Sequence, residues 1–179
     1  FDYVVIDAPN GLDDGFQSAI AAAEEALIVT TPDVSSIRNV DSVIRALNKA
    51  GVDPLGLVLN RIRYNMMRRG EMLAIEDIPI LLESPLLGVI PERQEVVVAA
   101  NRGTPSAFKA RSSSGKSFRN LAERIDRRLP PVILGNDSKL SKFGALRGPE
   151  LDRSAYVYNG TFASVRGAKN ALPIPNEIR

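Results

Sequence analysis

The sequence predicts an α/β protein, a doubly wound and mostly parallel sheet with flanking helices, followed by an irregular carboxyl-terminal tail. Two observations predict it. Short apolar runs at residues 3–6, 26–31, 55–59 and 86–90, three of them with β-branched residues, suit strands buried on both faces. Between them lie segments with helical spacing, and strands joined by crossover helices make a parallel sheet. The low aromatic content, 6% against 44% hydrophobic, agrees with a mixed α/β protein more than an all-β one.

The elements follow in order. "FDYVVIDAPNG" opens with a strand, and Pro9, Asn10 and Gly11 suit a tight turn after it. After the second strand, Ile37, Val40, Val43, Ile44 and Leu47 recur at helical spacing, with Ser35 or Ser36 as the cap of that helix. A further helix is predicted at about 74–83, with Pro79 placed in its first turn or bending it. Phe118, Leu121, Ala122, Ile125 and Leu129 form one apolar face of another. Residues 1–129 are therefore expected to form the α/β domain. Residues 130–179, broken by "PP", "GND", "RGPE" and "LPIP", are expected to form a basic, irregular tail.

Composition excludes several chemistries. With no Cys and no His there is no disulfide, no Cys/His zinc or iron–sulfur site and no histidine base. No apolar run reaches the roughly 20 residues that cross a bilayer. The chain opens on Phe1 rather than Met and is expected to begin mid-protein.

"ARSSSGKS" at 110–117 matches the permissive spacing of a phosphate-binding loop. Such a loop needs a buried strand to deliver it and a helix to leave it, so that backbone N–H groups converge on phosphate. The lead-in "NRGTPSAFK" is no buried strand, so Ser112, Ser113 and Ser114 are expected to cap a helix instead. Lys116 is then a solvent-facing lysine.

Three stretches carry candidate chemistry. An apolar strand ending in Asp7 has the arrangement in which a carboxylate holds Mg²⁺ through water; the alternative is an aspartate that begins a turn. "GLVLNRIRYN" ends a strand in Asn60, followed at once by Arg61, an amide and a planar cation that suit the edge and the face of adenine. The alternative is a polar turn. "LLGVIPERQEVVVAANRG" places Pro91 and Glu92 at the same sheet edge, where open α/β folds bind ligands.

Together with "GKSFRNLAERI" and "TTPDVSSIRNVDSVI", these stretches resemble the MinD site-determining ATPases, deviant Walker A proteins related to the ParA-type partition proteins. The resemblance covers residues 1–129 and implies the following. Asp7 assists Mg²⁺ and hydrolysis, while Asn60, Arg61, Pro91 and Glu92 hold the adenosine of ATP. ATP drives a homodimer that binds the inner membrane surface, or works in a plastid stroma. The helix after "TTPD" faces MinC-like and MinE-like regulators through Asp33, Ser35, Asn39 and Asp41. The chain departs from the family pattern at Ala8 and Asn10, and at Asn39 where the family has an acid, which bears on the tuning of hydrolysis. The Gly-rich loop with its two lysines is expected upstream, so this chain alone is expected not to hydrolyse ATP. The alternatives are a non-catalytic partner- or lipid-binding remnant and a ParA-type DNA-segregating ATPase.

Charge is unevenly placed. Residues 1–108 hold 9 basic and 15 acidic side chains, and residues 109–147 hold 10 and 3. The resemblance favours anionic lipid over nucleic acid for the basic part. Leu140, Phe143 and Leu146, among Lys139, Lys142 and Arg147, suit a short membrane-surface helix at 139–147; the alternative is a solvated linker, since Gly144 weakens a helix and so short a segment is marginal alone.

Overall fold

The computed structural model describes residues 1–109 and 111–131. The expected surface helix with Leu140, Phe143 and Leu146, and almost all of the tail, lie outside the described residues.

Three parallel strands form the sheet in the order β1 (Glu25–Thr30), β2 (Asp53–Ile62) and β3 (Leu86–Pro91). Helices α1 (Asp14–Ala21), α2 (Val34–Ala50), α3 (Tyr64–Arg68), α4 (Asp77–Leu81), α5 (Gln94–Asn101) and α6 (Ser113–Asp126) surround or connect them, with a 3₁₀ turn at Ser106–Phe108. The central strand β2 carries the core. Leu57, Val58, Leu59 and Ile62 are buried whichever face they occupy, as a strand covered on both sides requires.

Each helix has a local cause. Asp13 caps α1 by accepting from the Phe16 N–H. Asp33, not Ser35 or Ser36, caps α2. Its carboxylate accepts from the Ser36 N–H at 2.9 Å, and the two serines fall inside the first turn. The helix ends at Gly51, which takes the left-handed conformation (φ 73°) that a side chain would disfavour. The helix expected at 74–83 is confined to α4, with Pro79 in its first turn, where its missing N–H costs nothing. α6 packs on β3, so closely that a Cβ on Gly88 would stand 3.1 Å from Leu121 Cδ1. Its far end is fastened to β1 by a two-pronged Arg128–Glu25 pair, 2.7 and 2.8 Å.

Residues 3–6 differ from expectation. They form no strand, and Val4 and Val5 lie exposed. β1 and β3 are the two outer strands of the described sheet, and residues 3–6 pair with neither of their open edges, so the run has no ladder of hydrogen bonds and does not become a strand. The segment is tethered through the Tyr3 hydroxyl, which donates to Asp126 at 3.0 Å.

Candidate functional site at the carboxyl edge of the sheet

β2 and β3 run parallel, so their carboxyl ends lie side by side. Leu59 pairs with Val89 and Ile62 with Pro91. Two residues of β2, Asn60 and Arg61, therefore oppose the single residue Ile90. This is a β-bulge, a device that re-aims side chains and recurs beside functional sites. Asn60 and Arg61 thus both lie within β2, which runs on to Ile62 and does not end in Asn60 as expected. Arg61 has φ 56°, a left-handed backbone uncommon for a residue with a side chain. Asn60 Oδ1 accepts from the Arg61 N–H at 2.9 Å, which closes the bulge and leaves the amide NH₂ as the group's donor.

The Glu92 N–H donates to the Ile62 carbonyl at 3.0 Å, so Pro91 and Glu92 stand against the end of β2. The structure thus brings together Asn60, Arg61, Pro91 and Glu92, as the sequence predicts. It adds Arg63, which sequence reasoning missed. Arg63 Nη2 donates to Glu92 Oε1 at 3.0 Å and its Nε to Oε2, a fork that occupies both carboxylate oxygens. This pairing holds the Glu92 carboxyl below its usual range, and the Arg61 charge adds to the effect. The sole sequence signal for Arg63 is its place two residues after Arg61; its partner is 29 residues away.

Asp7 does not join this group in a strand. It lies exposed in the extended segment outside the sheet, and the strand-end position expected for it is not formed. Among the described residues no three His, Cys, Asp or Glu side chains come together to hold a metal. An ion held by a cluster of carboxylates therefore does not fit, whereas a hydrated Mg²⁺ held mainly by phosphate and water, with one carboxylate assisting, makes no greater demand than Asp7 meets.

The "ARSSSGKS" stretch is a helix cap, as expected. Ser112 Oγ accepts from the Gly115 N–H at 2.8 Å, and Lys116 is exposed. Glu95, from α5, completes the cap. Its Oε1 accepts from the Ser114 N–H at 3.0 Å and from the hydroxyls of Ser112, Ser113 and Ser114 at 3.1, 3.3 and 2.5 Å. The Ser114 bonds above all hold its carboxyl at about 2, against desolvation. A carboxylate already stands where a phosphate would need to bind.

On α2, Ser35 and Asn39 are exposed one turn apart. The Asp33 carboxylate is committed to the cap and also accepts from the hydroxyls of Thr31 and Ser35, while Asp41 pairs with Arg45 at 2.6 Å. An apolar cavity of about 410 Å³, lined in part by Val96, Ala100, Pro105, Ala107 and Phe118, includes none of the sheet-edge residues. Among the described residues no helix is long and apolar enough to cross a membrane.

A parallel sheet whose polar and charged groups gather at a bulge on its carboxyl edge defines an open α/β protein of the ligand-binding class. The model of the ParA family, described as "NUBPL iron-transfer P-loop NTPase", matches residues 1–126. The septum site-determining protein MinD of Synechocystis is 39% identical over 127 residues, 70% of this chain and 48% of that protein. The MinD cell division protein of Aquifex aeolicus, solved alone and as a MinC:MinD complex, superposes with a TM-score of 0.69 at 36% identity, in each case over 74% of this chain and over 56% and 55% of the respective solved chains. MinD of Pyrococcus horikoshii, complexed with Mg-ADP, does so with a TM-score of 0.62 at 33% identity, over 68% of this chain and 49% of that one. The chain belongs to the ParA family of P-loop NTPases and, within it, to the MinD type. It spans about half the length of the curated relatives it matches. The 179 residues carry no cysteine with which to bind iron.

Proposed function

We propose that this chain serves a MinD-type ATPase that places the division site, and that the carboxyl ends of β2 and β3 hold the adenosine of its nucleotide. The observation that carries the reading is the bulge. It sets Asn60 and Arg61 opposite Ile90, one step from Pro91 and Glu92, in a chain whose structural neighbours include a Mg-ADP complex. The Asn60 amide reads the base edge, and the Arg61 guanidinium stacks on or flanks its face. Pro91 and Glu92 close the opposite side. Asp7 would assist Mg²⁺ through water, and the ion would supply neutralisation of phosphate charge.

ATP-dependent homodimerisation, reversible binding to anionic lipid at the inner membrane surface, and stimulation by a MinE-like regulator complete the proposal. The solved MinC:MinD complex supports a MinC-like partner. We place that partner on the amino-terminal half of α2, where Ser35 and Asn39 are exposed. Asp33 serves there by fixing the helix start and Asp41 by pairing with Arg45.

The test is a chimaera in which the amino-terminal half of the Synechocystis relative precedes this chain. ATP hydrolysis that falls at least about a hundred-fold on Asn60→Ala with Arg61→Ala, in folded protein, is the expected result. A folded chimaera that hydrolyses ATP equally well without the two side chains removes the sheet edge from the reading.

A further inference from the structure

We propose that the apolar cavity between α5, the 3₁₀ turn and α6 is a binding site for a free long-chain fatty acid, with the hydrocarbon chain in the cavity and the carboxylate among the cations that border it. The site is separate from the sheet edge and does not depend on the nucleotide reading. Its volume, about 410 Å³, falls in the range of small-molecule pockets, roughly 300–1,000 Å³. Val96 and Ala100 line it from α5, Pro105 and Ala107 at the 3₁₀ turn, and Phe118 from α6. Among the described lining residues, Thr104 and Ser106 alone carry a polar side chain.

Charge selects the occupant. The described lining residues fall within 96–118, and residues 96–119 hold five basic side chains and no acid. One of the five is fixed at the cavity wall, where Arg119 Nη1 donates to the carbonyls of Ala107 and Lys109 at 2.5 and 3.1 Å. Arg102 directly precedes the lining residue Gly103, and Lys109 stands two residues after Ala107; both are exposed. The acid nearest in sequence, Glu95, is turned to Ser112, Ser113 and Ser114. The occupant therefore needs an apolar body and an anionic end. The stretch 139–147 of this chain, with Lys139, Lys142 and Arg147, and a second copy of the same face both bring like charge. A peptide also brings backbone N–H and C=O groups, which a carbon-lined cavity with two hydroxyls leaves unpaired at a cost. A fatty acid has no polar group along its chain, and its carboxylate suits a guanidinium and an ammonium. A concave site takes in such a chain, whereas a bilayer takes in side chains that project.

Titration calorimetry of the 179-residue chain with octanoate, decanoate and laurate, each kept below its micelle concentration, tests this. Affinity is expected to rise about two- to fourfold with each methylene, the gain from removing one from water. Laurate is expected to bind at least about tenfold more tightly than dodecyltrimethylammonium, which has the same chain length and the opposite charge. Ala100→Phe fills an exposed lining position of α5 and is expected to weaken laurate by about tenfold or more, about 1.4 kcal/mol. Where Ala100→Phe loses its cooperative unfolding transition, Ala100→Leu, smaller and a strong helix former, is compared in the same way.

Laurate and dodecyltrimethylammonium binding alike, a folded Ala100 variant that binds laurate as wild type does, or no saturable heat with laurate each overturns the inference. Binding to phosphatidylglycerol vesicles without binding of monomeric laurate also overturns it, and assigns this face, with its exposed Phe108 ring, to a bilayer. Binding of an acidic helical peptide without laurate overturns it in favour of a protein partner.

Discussion

Gly115 shows how a tertiary contact reverses a local preference. It lies in the first turn of α6, where replacing glycine by alanine ordinarily stabilises a helix by about 1 kcal/mol. A Cβ there would stand 2.2 Å from the Ser106 carbonyl oxygen, which is backbone and must move. Overpacking of that kind costs about 1–3 kcal/mol, so Gly115→Ala is expected to destabilise on balance, measured as a lower urea midpoint. Glu95 gives a second residue-scale prediction. Its carboxyl, ordinarily near 4.5, is held at about 2 in the folded chain. With the folded value below the unfolded one, the carboxylate's contribution is complete above about pH 4.5 and is lost as pH falls toward 2. Melting temperatures of wild type and Glu95→Gln should therefore differ most above pH 4.5 and converge near pH 2. Asp33, also held at about 2, slopes both curves alike and drops out of the difference.

At the scale of the element, the sheet and the long helices were legible because periodicity and apolar runs are local properties. Residues 26–31, 55–59 and 86–90 became β1, the core of β2, and β3, and the serine cap of α6 was visible in "SSSG". The short helices α1, α3 and α5 carried no long repeat to detect. The bulge at Asn60–Arg61 was hidden because it is a property of two strands in register, and the Arg63–Glu92 and Glu95–serine contacts because they join residues far apart in sequence. The reverse error occurred at residues 3–6, where an apolar pattern promised a strand but the segment pairs with neither open edge of the sheet. That segment makes its own prediction. Asp7 is exposed and outside the sheet, so Asp7→Ala should change the stability of this chain by less than about 0.5 kcal/mol. In the hydrolysing chimaera the same substitution should lower the rate by orders of magnitude through loss of Mg²⁺ orientation. Unfolding curves beside single-turnover rates check both halves. A large loss of stability in the chain would make Asp7 a structural residue.

Across the whole described molecule, the base end and the phosphate end of a nucleotide meet different conditions. The carboxyl edge of the sheet offers an amide, a guanidinium and an ion-paired carboxylate, groups suited to a base. Phosphate binding relies on helix amino termini with unsatisfied N–H groups. Three of the six described here are taken, while α3, α4 and α5 have no side-chain cap and α4 and α5 carry an acid in the first turn. Asp13 closes α1, Asp33 closes α2, and Ser112 with Glu95 closes α6. A phosphate approaching any of the three meets a carboxylate of the chain itself, and repulsion there cancels what the helix dipole offers. At these three ends the phosphates should therefore add almost nothing to binding, and at α5 the first-turn Glu95 opposes them as well. Adenosine, AMP and MgATP are expected to bind the 179-residue chain with Kd values within about threefold of one another, a spread below about 0.7 kcal/mol. Titration calorimetry of MgATP should show no micromolar site. The comparison among the three ligands isolates the phosphate contribution, since base and ribose are common to all. MgATP binding a hundred-fold more tightly than adenosine would require N–H groups or cations gathered on phosphate somewhere other than these three helix ends.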